Sequence, residues 1–174
     1  MTAFNIPTIE TERLTLRAHT MADFPAYAAF LASDRAQYMG GPLTKSAAWA
    51  QFSKDVAQWA LLGHGALAID LKDTGEFVGQ VGINGYPGFA DAELGWLVFP
   101  NGEGRGIAFE AASEIRNWAF GERGLDTLVS YIHQDNQRSI ALAARLGTSL
   151  DTSAQPCPYE HHVTYRHPSP EALQ

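Results

Sequence analysis

The sequence predicts a mixed α/β or α+β domain, in which a strand and two helices precede antiparallel strands and then a helix, a strand, a helix and a last strand. Two observations support this fold class. Apolar residues alternate with polar ones in the predicted strands and recur about every 3.6 residues in the predicted helices. The 174 residues contain no repeat, low-complexity tract or Gly/Ser/Pro linker, so residues 1–174 are expected to form a single domain.

The first three elements follow from local signals. Residues 13–18 alternate polar and apolar side chains, which is typical of a half-buried strand. Thr20 with Asp23 three residues later resembles a capping box, and apolar residues follow at helical spacing. Thr44 is expected to cap a second helix, which ends at Gly63.

The later elements are predicted in the same way. Two apolar runs joined by Lys72-Asp73-Thr74-Gly75 indicate a hairpin. From Ile107 to Gly121 the apolar residues form a continuous stripe on one helical face, and Gly147 is expected to end a last helix. The other predicted segments are strands at 65–70, 76–84, 92–99, 127–132 and 161–166 and a helix at 136–145. All four tryptophans fall where these patterns predict core: Trp49, Trp59, Trp96 and Trp118.

Charge and cysteine content exclude some classes of protein. The chain has 12 Lys+Arg against 19 Asp+Glu, a net charge of −7, so a general binder of nucleic acid or of anionic membranes is not expected. Its single cysteine, Cys157, cannot form an intrachain disulfide, which suits a reducing compartment. The first residues lack a signal-peptide pattern, and no stretch reaches the roughly 18 apolar residues of a membrane span. We therefore expect a cytoplasmic protein.

A glycine-rich turn precedes the long predicted helix. Gly104 and Gly106 let the backbone approach a ligand closely, and the helix begins with N–H groups that have no intrahelical partner. The positive end of the helix dipole and the Arg105 side chain favour an anion such as a phosphate. On these residues alone, a simple tight turn explains the glycines about as well.

A second motif, Asn136-Gln137-Arg138-Ser139 followed by Leu146-Gly147, lies further along the chain. The two motifs together resemble the GNAT family of acyl-CoA N-acyltransferases, and within it the RimJ/RimL-like branch. The resemblance also includes Val98-Phe99-Pro100 and the opening stretch 12–17. It implies a central, mostly antiparallel twisted sheet of about six to seven strands with about four helices, splayed at the cofactor site. It also implies acetyl-CoA as cosubstrate.

The resemblance further implies roles in cofactor binding. The pyrophosphate of coenzyme A would be held by the backbone amides of Gly104, Arg105, Gly106, Ile107 and Ala108. The pantetheine arm would pair with the strand backbone at Leu97, Val98 and Phe99. The Val98 N–H would stabilise the oxyanion of the tetrahedral intermediate. Asn136 matches the residue that contacts the cofactor near its reactive end.

The same comparison assigns proton transfer. The family's tyrosine acid falls at Ala143, so Ser139, one turn earlier on the same helical face, is expected to protonate the departing thiolate. Glu93 matches an acidic position frequent in this branch and is the first candidate for the general base, with a merely solvated charge as the equally good alternative. His133 is the second candidate, and a water chain the third. Direct attack by the amine is expected, because Cys157 has no basic partner nearby in sequence.

Several assignments stay open. The acceptor is expected to be a protein N-terminus or a small amine, and a homodimer is an open alternative. Glu103 replaces the Gln or Arg that often opens the glycine turn, so it is expected to point away from the phosphates. This departure and Ala143 keep open an acyl-CoA-binding module without turnover, and a plain nucleotide-binding domain is the third alternative. No metal is expected, because the adjacent His161 and His162 point to opposite faces of a strand.

Overall fold

A computed structural model describes residues 5–173 of the chain. Within these residues, eight strands form one sheet in the order β1-β2-β3-β4-β5-β6-β8-β7. The strands are β1 (Ile9–Glu10), β2 (Leu14–Arg17), β3 (Ala66–Leu71), β4 (Phe77–Asn84), β5 (Glu93–Val98), β6 (Val129–His133), β7 (Ser149–Leu150) and β8 (His162–Arg166). The α-helices are α1 (Phe24–Leu31), α2 (Lys45–Leu62), α3 (Ile107–Gly121) and α4 (Gln137–Arg145). Short 3₁₀ helices occupy Asp34–Met39, Pro100–Gly102 and Pro170–Leu173.

The predicted fold class is confirmed, with differences at individual elements. The stripe that predicts a helix from Ile107 to Gly121 forms α3 with these bounds. Thr20 does not cap α1, because the N-cap residue is Asp23 and the helix begins at Phe24. The Asp23 carboxylate accepts a hydrogen bond from the backbone N–H of Thr20 at 2.7 Å, so the two residues close a turn before the helix. The two-residue strands β1 and β7 are not predicted, so the sheet of the described residues has eight strands rather than the expected six to seven.

Helices cover both faces of the sheet. Leu97 packs with α1 and α2 in one apolar cluster, whereas Leu94 packs with α3 and α4 in a larger one. The two leucines lie three residues apart in β5, and alternate side chains in a strand point to opposite faces. Strand β5 therefore lies in the middle of the molecule, with the α1/α2 layer on one side and the α3/α4 layer on the other.

The prediction that all four tryptophans lie in the core is wrong for one of them. Trp59 is 4% exposed, whereas Trp49 is 44% exposed. Trp49 makes an edge contact with the ring of Phe24 at 5.1 Å, but its other side lines a shallow apolar groove together with Met21. The apolar spacing in α2 turns this side chain toward α1, but only the side of the ring that faces Phe24 is covered.

Candidate active site

The sheet divides between β5 and β6, the pair of adjacent strands that run parallel. They pair at one position, Glu93 with Val129, and diverge beyond it. Just after β5, the Phe99 N–H donates to the Val78 carbonyl of β4 at 2.8 Å. Because successive residues of a strand direct their backbone groups to opposite neighbours, the odd-numbered residues of β5 bond to β4. The N–H and C=O groups of Trp96 and Val98 therefore face the gap, as the sequence predicts for Val98. The same prediction is wrong for Leu97 and Phe99, because their backbone groups point to β4.

A side chain closes the narrow end of this gap. The Ser130 hydroxyl donates to the Leu94 carbonyl at 2.6 Å, where a continuous strand would supply a backbone N–H. The Nε2 atom of His167 lies 3.0 Å from the same hydroxyl oxygen. Burial lowers the pKa of His167 to about 3, so the ring is neutral. Because Ser130 donates its only hydroxyl hydrogen to Leu94, the Nε2 atom of His167 must carry the hydrogen of this contact and donate it to Ser130. These contacts fix where the two strands part.

The glycine turn lies at the wide end of the gap. Gly104 and Gly106 have φ angles of 72° and 77°, a left-handed conformation that favours glycine. A Cβ atom added at Gly104 would meet no atom within 4 Å, so the space outside the turn is open. On the inner side, the Arg13 guanidinium donates to the Arg105 carbonyl at 2.9 Å. The turn and the unpaired N–H groups at the start of α3 form a cradle that fits a phosphate group.

Glu103, the acid that departs from the family pattern, is paired with two cations. Its Oε1 atom lies 2.5 Å from Nη1 of Arg35 and 3.0 Å from Nη1 of Arg138. Arg35 belongs to the 3₁₀ helix after α1, and Arg138 to the first turn of α4. The charge of Glu103 is thus offset beside the cradle. The sequence does not indicate this cluster, because Arg35 and Glu103 lie 68 residues apart.

The first turn of α4 brings two predicted site residues together. Asn136 is the N-cap residue, and its side-chain oxygen accepts from the Ser139 N–H at 3.2 Å. The indole N–H of Trp96 donates to the hydroxyl oxygen of Ser139 at 3.3 Å. Ala143, one turn further along, is fully buried. Asn136 therefore has a structural role in the helix besides the cofactor contact that the sequence predicts.

Glu93 lies at the narrow end of the gap, at the last paired position of β5. Its side chain is buried rather than solvated, with 9% of the residue exposed, so the solvated-charge alternative is wrong. The side-chain amide of Asn84 donates to its carboxylate at 3.2 Å. Burial raises the pKa of Glu93 to about 7, because a carboxylate loses solvation in this environment.

Aromatic residues from two loops cover the Glu93 region. The ring of Phe89 makes edge contacts with Tyr131 at 5.4 Å and with Tyr159 at 5.8 Å. Burial raises the pKa of Tyr159, and the charge of Glu93 raises it further, so the two groups lie within electrostatic range. The Cys157 thiol accepts a hydrogen bond from the Tyr159 N–H at 3.4 Å, and burial raises the pKa of this thiol. A raised pKa makes Cys157 a poor nucleophile, in agreement with the sequence interpretation.

His133, the second base candidate, lies at the far end of β6. Its ring packs on Tyr38 at 4.9 Å, and its Nδ1 atom accepts from the Asp135 N–H at 3.2 Å. His162 approaches from β8 at 5.3 Å between ring centroids. His133 thus occupies the mouth of the gap and Glu93 its narrow end.

A buried polar cluster between α2 and the sheet is absent from the sequence interpretation. Asp55 is 4% exposed and accepts hydrogen bonds from the Tyr27 hydroxyl at 3.1 Å and from the Gln80 amide at 3.0 Å. Burial raises the pKa of Asp55. The sequence carries a signal for it, since Asp55 falls on the same helical stripe as the buried Phe52 and Trp59. The charge of Asp55 also raises the pKa of Glu93.

Residues 5–173 contain neither a metal-binding cluster nor a membrane-spanning helix. In this part of the chain, no three His, Cys, Asp or Glu residues are arranged to hold a metal ion. No helix in the same residues is long and apolar enough to cross a membrane.

A sheet that divides beside a glycine turn, with unpaired strand amides in the gap, defines the class of an acyl-CoA-dependent acyltransferase. Residues 13–149 match the acetyltransferase (GNAT) domain family, and the chain belongs to this family. Members of the family take the acyl group from an acyl-CoA. The protein is therefore an N-acetyltransferase.

Individual relatives agree with this assignment. The crystal structure of the acetyltransferase from Agrobacterium tumefaciens str. C58 is 49% identical, with a TM-score of 0.91 over 97% of this chain and 98% of that one. The Bacillus subtilis (strain 168) protein "Uncharacterized N-acetyltransferase YoaA" is 26% identical over 91% of this chain and 92% of its own. A RimL ribosomal L7/L12 α-N-protein acetyltransferase in complex with coenzyme A shares the fold, with 18% identity, a TM-score of 0.69, and coverage of 90% and 93%.

Proposed function

We propose that the protein transfers an acetyl group from acetyl-CoA to a primary amine by direct attack in a ternary complex. The observation that carries the proposal is the gap between β5 and β6, which has a buried carboxylate at its narrow end and a phosphate cradle at its wide end. Residues 1–174 form one domain in this proposal, because both ends of the gap belong to the same sheet.

Binding of acetyl-CoA uses mainly backbone groups. The amides of the glycine turn and the first turn of α3 face the pyrophosphate, and the backbone groups of Val98 pair with the pantetheine arm. Leu97 and Phe99 direct their backbone groups to β4 and take no part in this pairing. Two features support this assignment: the open space outside Gly104 and the unpaired groups of Val98. Acetyl-CoA supplies an activated thioester carbonyl, and the Val98 N–H stabilises the negative charge that develops on its oxygen.

Glu93 acts as the general base. An amine acceptor has a pKa of about 10 when it is lysine-like and about 8 when it is an α-amine, so it must lose a proton before it attacks. A carboxyl group with a pKa near 7 is about half ionised at neutral pH, and its ionised form holds the proton better than an ordinary glutamate does. Its burial beside the last paired residues of the gap supports this role. His133 lies at the mouth, where a water chain would be needed to reach the reacting nitrogen.

Ser139 acts as the acid. The C–S bond breaks, its electron pair goes to sulfur, and the sulfur takes the hydroxyl proton of Ser139, whose oxygen is reprotonated by water. Asn136 holds the backbone of Ser139 by capping α4, which supports a fixed position for this hydroxyl.

The acceptor is a protein N-terminal α-amine or a small amine. The RimL neighbour is by its name an α-N-protein acetyltransferase, and this supports the first class. A second candidate function, an acyl-CoA-binding module without turnover, is favoured by Ala143, where many relatives have a tyrosine.

A thiol-detecting assay with acetyl-CoA tests these functions against each other. Amines and short peptides of varied N-terminus are added, and the release of free CoA is measured. Release that depends on an added acceptor supports the enzyme, and the accepted compounds name the acceptor class. A thermal shift with acetyl-CoA but no turnover with any acceptor supports the binding module. No shift and no turnover would contradict both.

A further inference from the structure

We infer that Trp96 is a positioning residue for Ser139: its indole N–H holds the hydroxyl oxygen of Ser139 as an acceptor, so that the hydroxyl hydrogen is free to reach the departing sulfur. The inference rests on the proposed function. It concerns a contact across the gap, between β5 and α4, that no motif of the sequence indicates.

The geometry places the two side chains on the same side of the sheet. Trp96 lies two residues after Leu94, so the side chains of Trp96 and Leu94 both point to the α3/α4 layer, to which Ser139 belongs. Its Nε1 atom is 3.3 Å from the Oγ atom of Ser139, and both side chains are half-buried. Trp96 is located beyond the last β5–β6 pair at Glu93 and Val129, where the backbone of β6 has already moved away. The indole N–H therefore links β5 to α4 at a point where β5 and β6 are no longer paired.

The chemistry of the two groups fixes the direction of this hydrogen bond. An indole N–H can only donate, whereas a serine hydroxyl has one hydrogen to donate and two lone pairs that accept. The contact uses a lone pair of Ser139 and leaves its hydrogen unused. When that hydrogen moves to sulfur, negative charge develops on Oγ, and the N–H dipole of Trp96 stabilises it. Trp96 gains and loses no proton in the step.

Two contacts together hold Ser139. Its backbone N–H donates to the side-chain oxygen of Asn136, and its hydroxyl oxygen accepts from Trp96. The first contact orients the start of α4, and the second restricts rotation of the side chain about its Cα–Cβ bond. A phenyl ring at position 96 would keep most of the packing of Trp96 against the larger apolar cluster but would remove the donor.

The test is a double-mutant cycle with Trp96→Phe, Ser139→Ala and the double variant. For each, kcat and the dissociation constant of acetyl-CoA are measured, with urea unfolding as a check of the fold. Ser139→Ala should lower kcat by about a hundredfold or more, as loss of a general acid does. Trp96→Phe should lower kcat by about two- to tenfold, the worth of one neutral hydrogen bond. Its effect should vanish in the Ser139→Ala background, and acetyl-CoA affinity should change little.

Trp118→Phe is the matched control. Trp118 is also half-buried in the larger apolar cluster and packs on Trp59 at 5.5 Å. This variant should keep the wild-type kcat. An equal loss of kcat from Trp96→Phe in the wild-type and Ser139→Ala backgrounds would show a packing effect and overturn the inference.

A measurement on the unsubstituted indole keeps the inference testable if Trp96→Phe does not fold. In ¹⁵N-labelled wild-type protein, the Trp96 indole N–H should exchange slowly with D₂O, and the exchange should accelerate in Ser139→Ala. An unchanged exchange rate and chemical shift in that variant would overturn the inference. Absence of amine-dependent CoA release from the wild type would instead overturn the proposed function, and the inference with it. Full turnover of Ser139→Ala would overturn the acid assignment and this inference with it, but would leave acetyl transfer intact.

Discussion

The Glu93 carboxyl group is held in surroundings that favour its protonated form. Asn84 donates one hydrogen bond to it, whereas burial and the charge of Asp55 both disfavour the ionised state. A general base works best when its pKa lies near the working pH. The Tyr131 backbone N–H and the charge of Lys54 act in the opposite direction, but burial has the largest effect and the pKa of Glu93 stays close to neutrality.

We expect the pH dependence of kcat/KM to report this group. In the wild type, the rate should rise as the pH passes through about 7, because only ionised Glu93 accepts the proton. In Glu93→Gln, kcat/KM should fall about a hundredfold, and its rise near pH 7 should disappear. The rise that remains should be the one caused by deprotonation of the amine acceptor. Glu122→Gln, at an exposed position after α3, is the control and should keep the wild-type profile. An unaltered profile in Glu93→Gln would favour His133 or water as the base.

The same substitution should stabilise the protein at high pH. The pKa of Glu93 is about 7 in the folded state against 4.5 for an unperturbed glutamate, so the folded state binds more protons between these values. Stability then falls as the pH rises through this window. Because Gln cannot ionise, Glu93→Gln should be more stable than the wild type by up to ~3 kcal/mol at pH ~8, with little difference at pH ~4. Urea unfolding at both pH values measures the free energy of unfolding of the variant and the wild type. The same difference between the two proteins at both pH values would contradict the raised pKa.

The site residues differ in how far the sequence could predict them. Glu93, Ser139 and the glycines carry signals within short motifs, and the structure brings these motifs to one gap. The partners of these residues do not carry such signals. Trp96 and Ser139 lie 43 residues apart, and Arg35 and Glu103 lie 68 residues apart. Such contacts depend on how the elements pack, which periodicity does not specify.

At the scale of elements, the long amphipathic segments are the most predictable. Helix α3 has its predicted bounds, because an unbroken stripe ends at a glycine. Strands β1 and β7 have only two residues each, too few to show an alternation, and they form because β2 and β8 offer free edges. The start of α1 is shifted because Asp23 is engaged by Arg17 and Thr20.

The turn before α3 allows a test of cofactor binding. Gly106→Val should abolish measurable acetyl-CoA binding, because valine is strained at a φ of 77° and its side chain would block close approach of a phosphate. Gly124→Val is the matched control, since Gly124 has a φ of 68° and lies in the loop after α3. Both variants should lose similar stability, and only Gly106→Val should lose affinity in a titration. Normal affinity in Gly106→Val would contradict the pyrophosphate assignment.

At the scale of the whole molecule, the charge is unevenly distributed. The net charge is −7, yet residues 103–145 hold five arginines and six acidic residues, so most of the excess negative charge lies elsewhere. The acidic part should attract a cationic amine, whereas backbone amides bind the phosphates without a large positive field.

Ionic strength should separate these two effects. Raising the salt concentration from about 0.05 M to about 0.5 M should increase KM for a cationic amine about two- to tenfold, because screening weakens its attraction to the acidic surface. An acceptor of the same chain length that also carries a carboxylate provides the comparison and should show a smaller change. The measurement is initial velocity at saturating acetyl-CoA. An equal salt effect on both acceptors would contradict the electrostatic attraction.

Only one residue pair and the hydrogen bond of Ser130 to Leu94 join β5 to β6. The sheet therefore consists of two halves that are joined at one position. In the proposed complex, the cosubstrate replaces the hydrogen bonds that β5 and β6 do not make. Its amides bond to the strand edge that a neighbouring strand would otherwise use. Bound acetyl-CoA would then be a temporary part of the sheet. In each round of acetyl transfer, these hydrogen bonds would form when acetyl-CoA binds and break when CoA leaves. The stability of the protein would therefore rise and fall with the concentration of acetyl-CoA, the compound that it consumes.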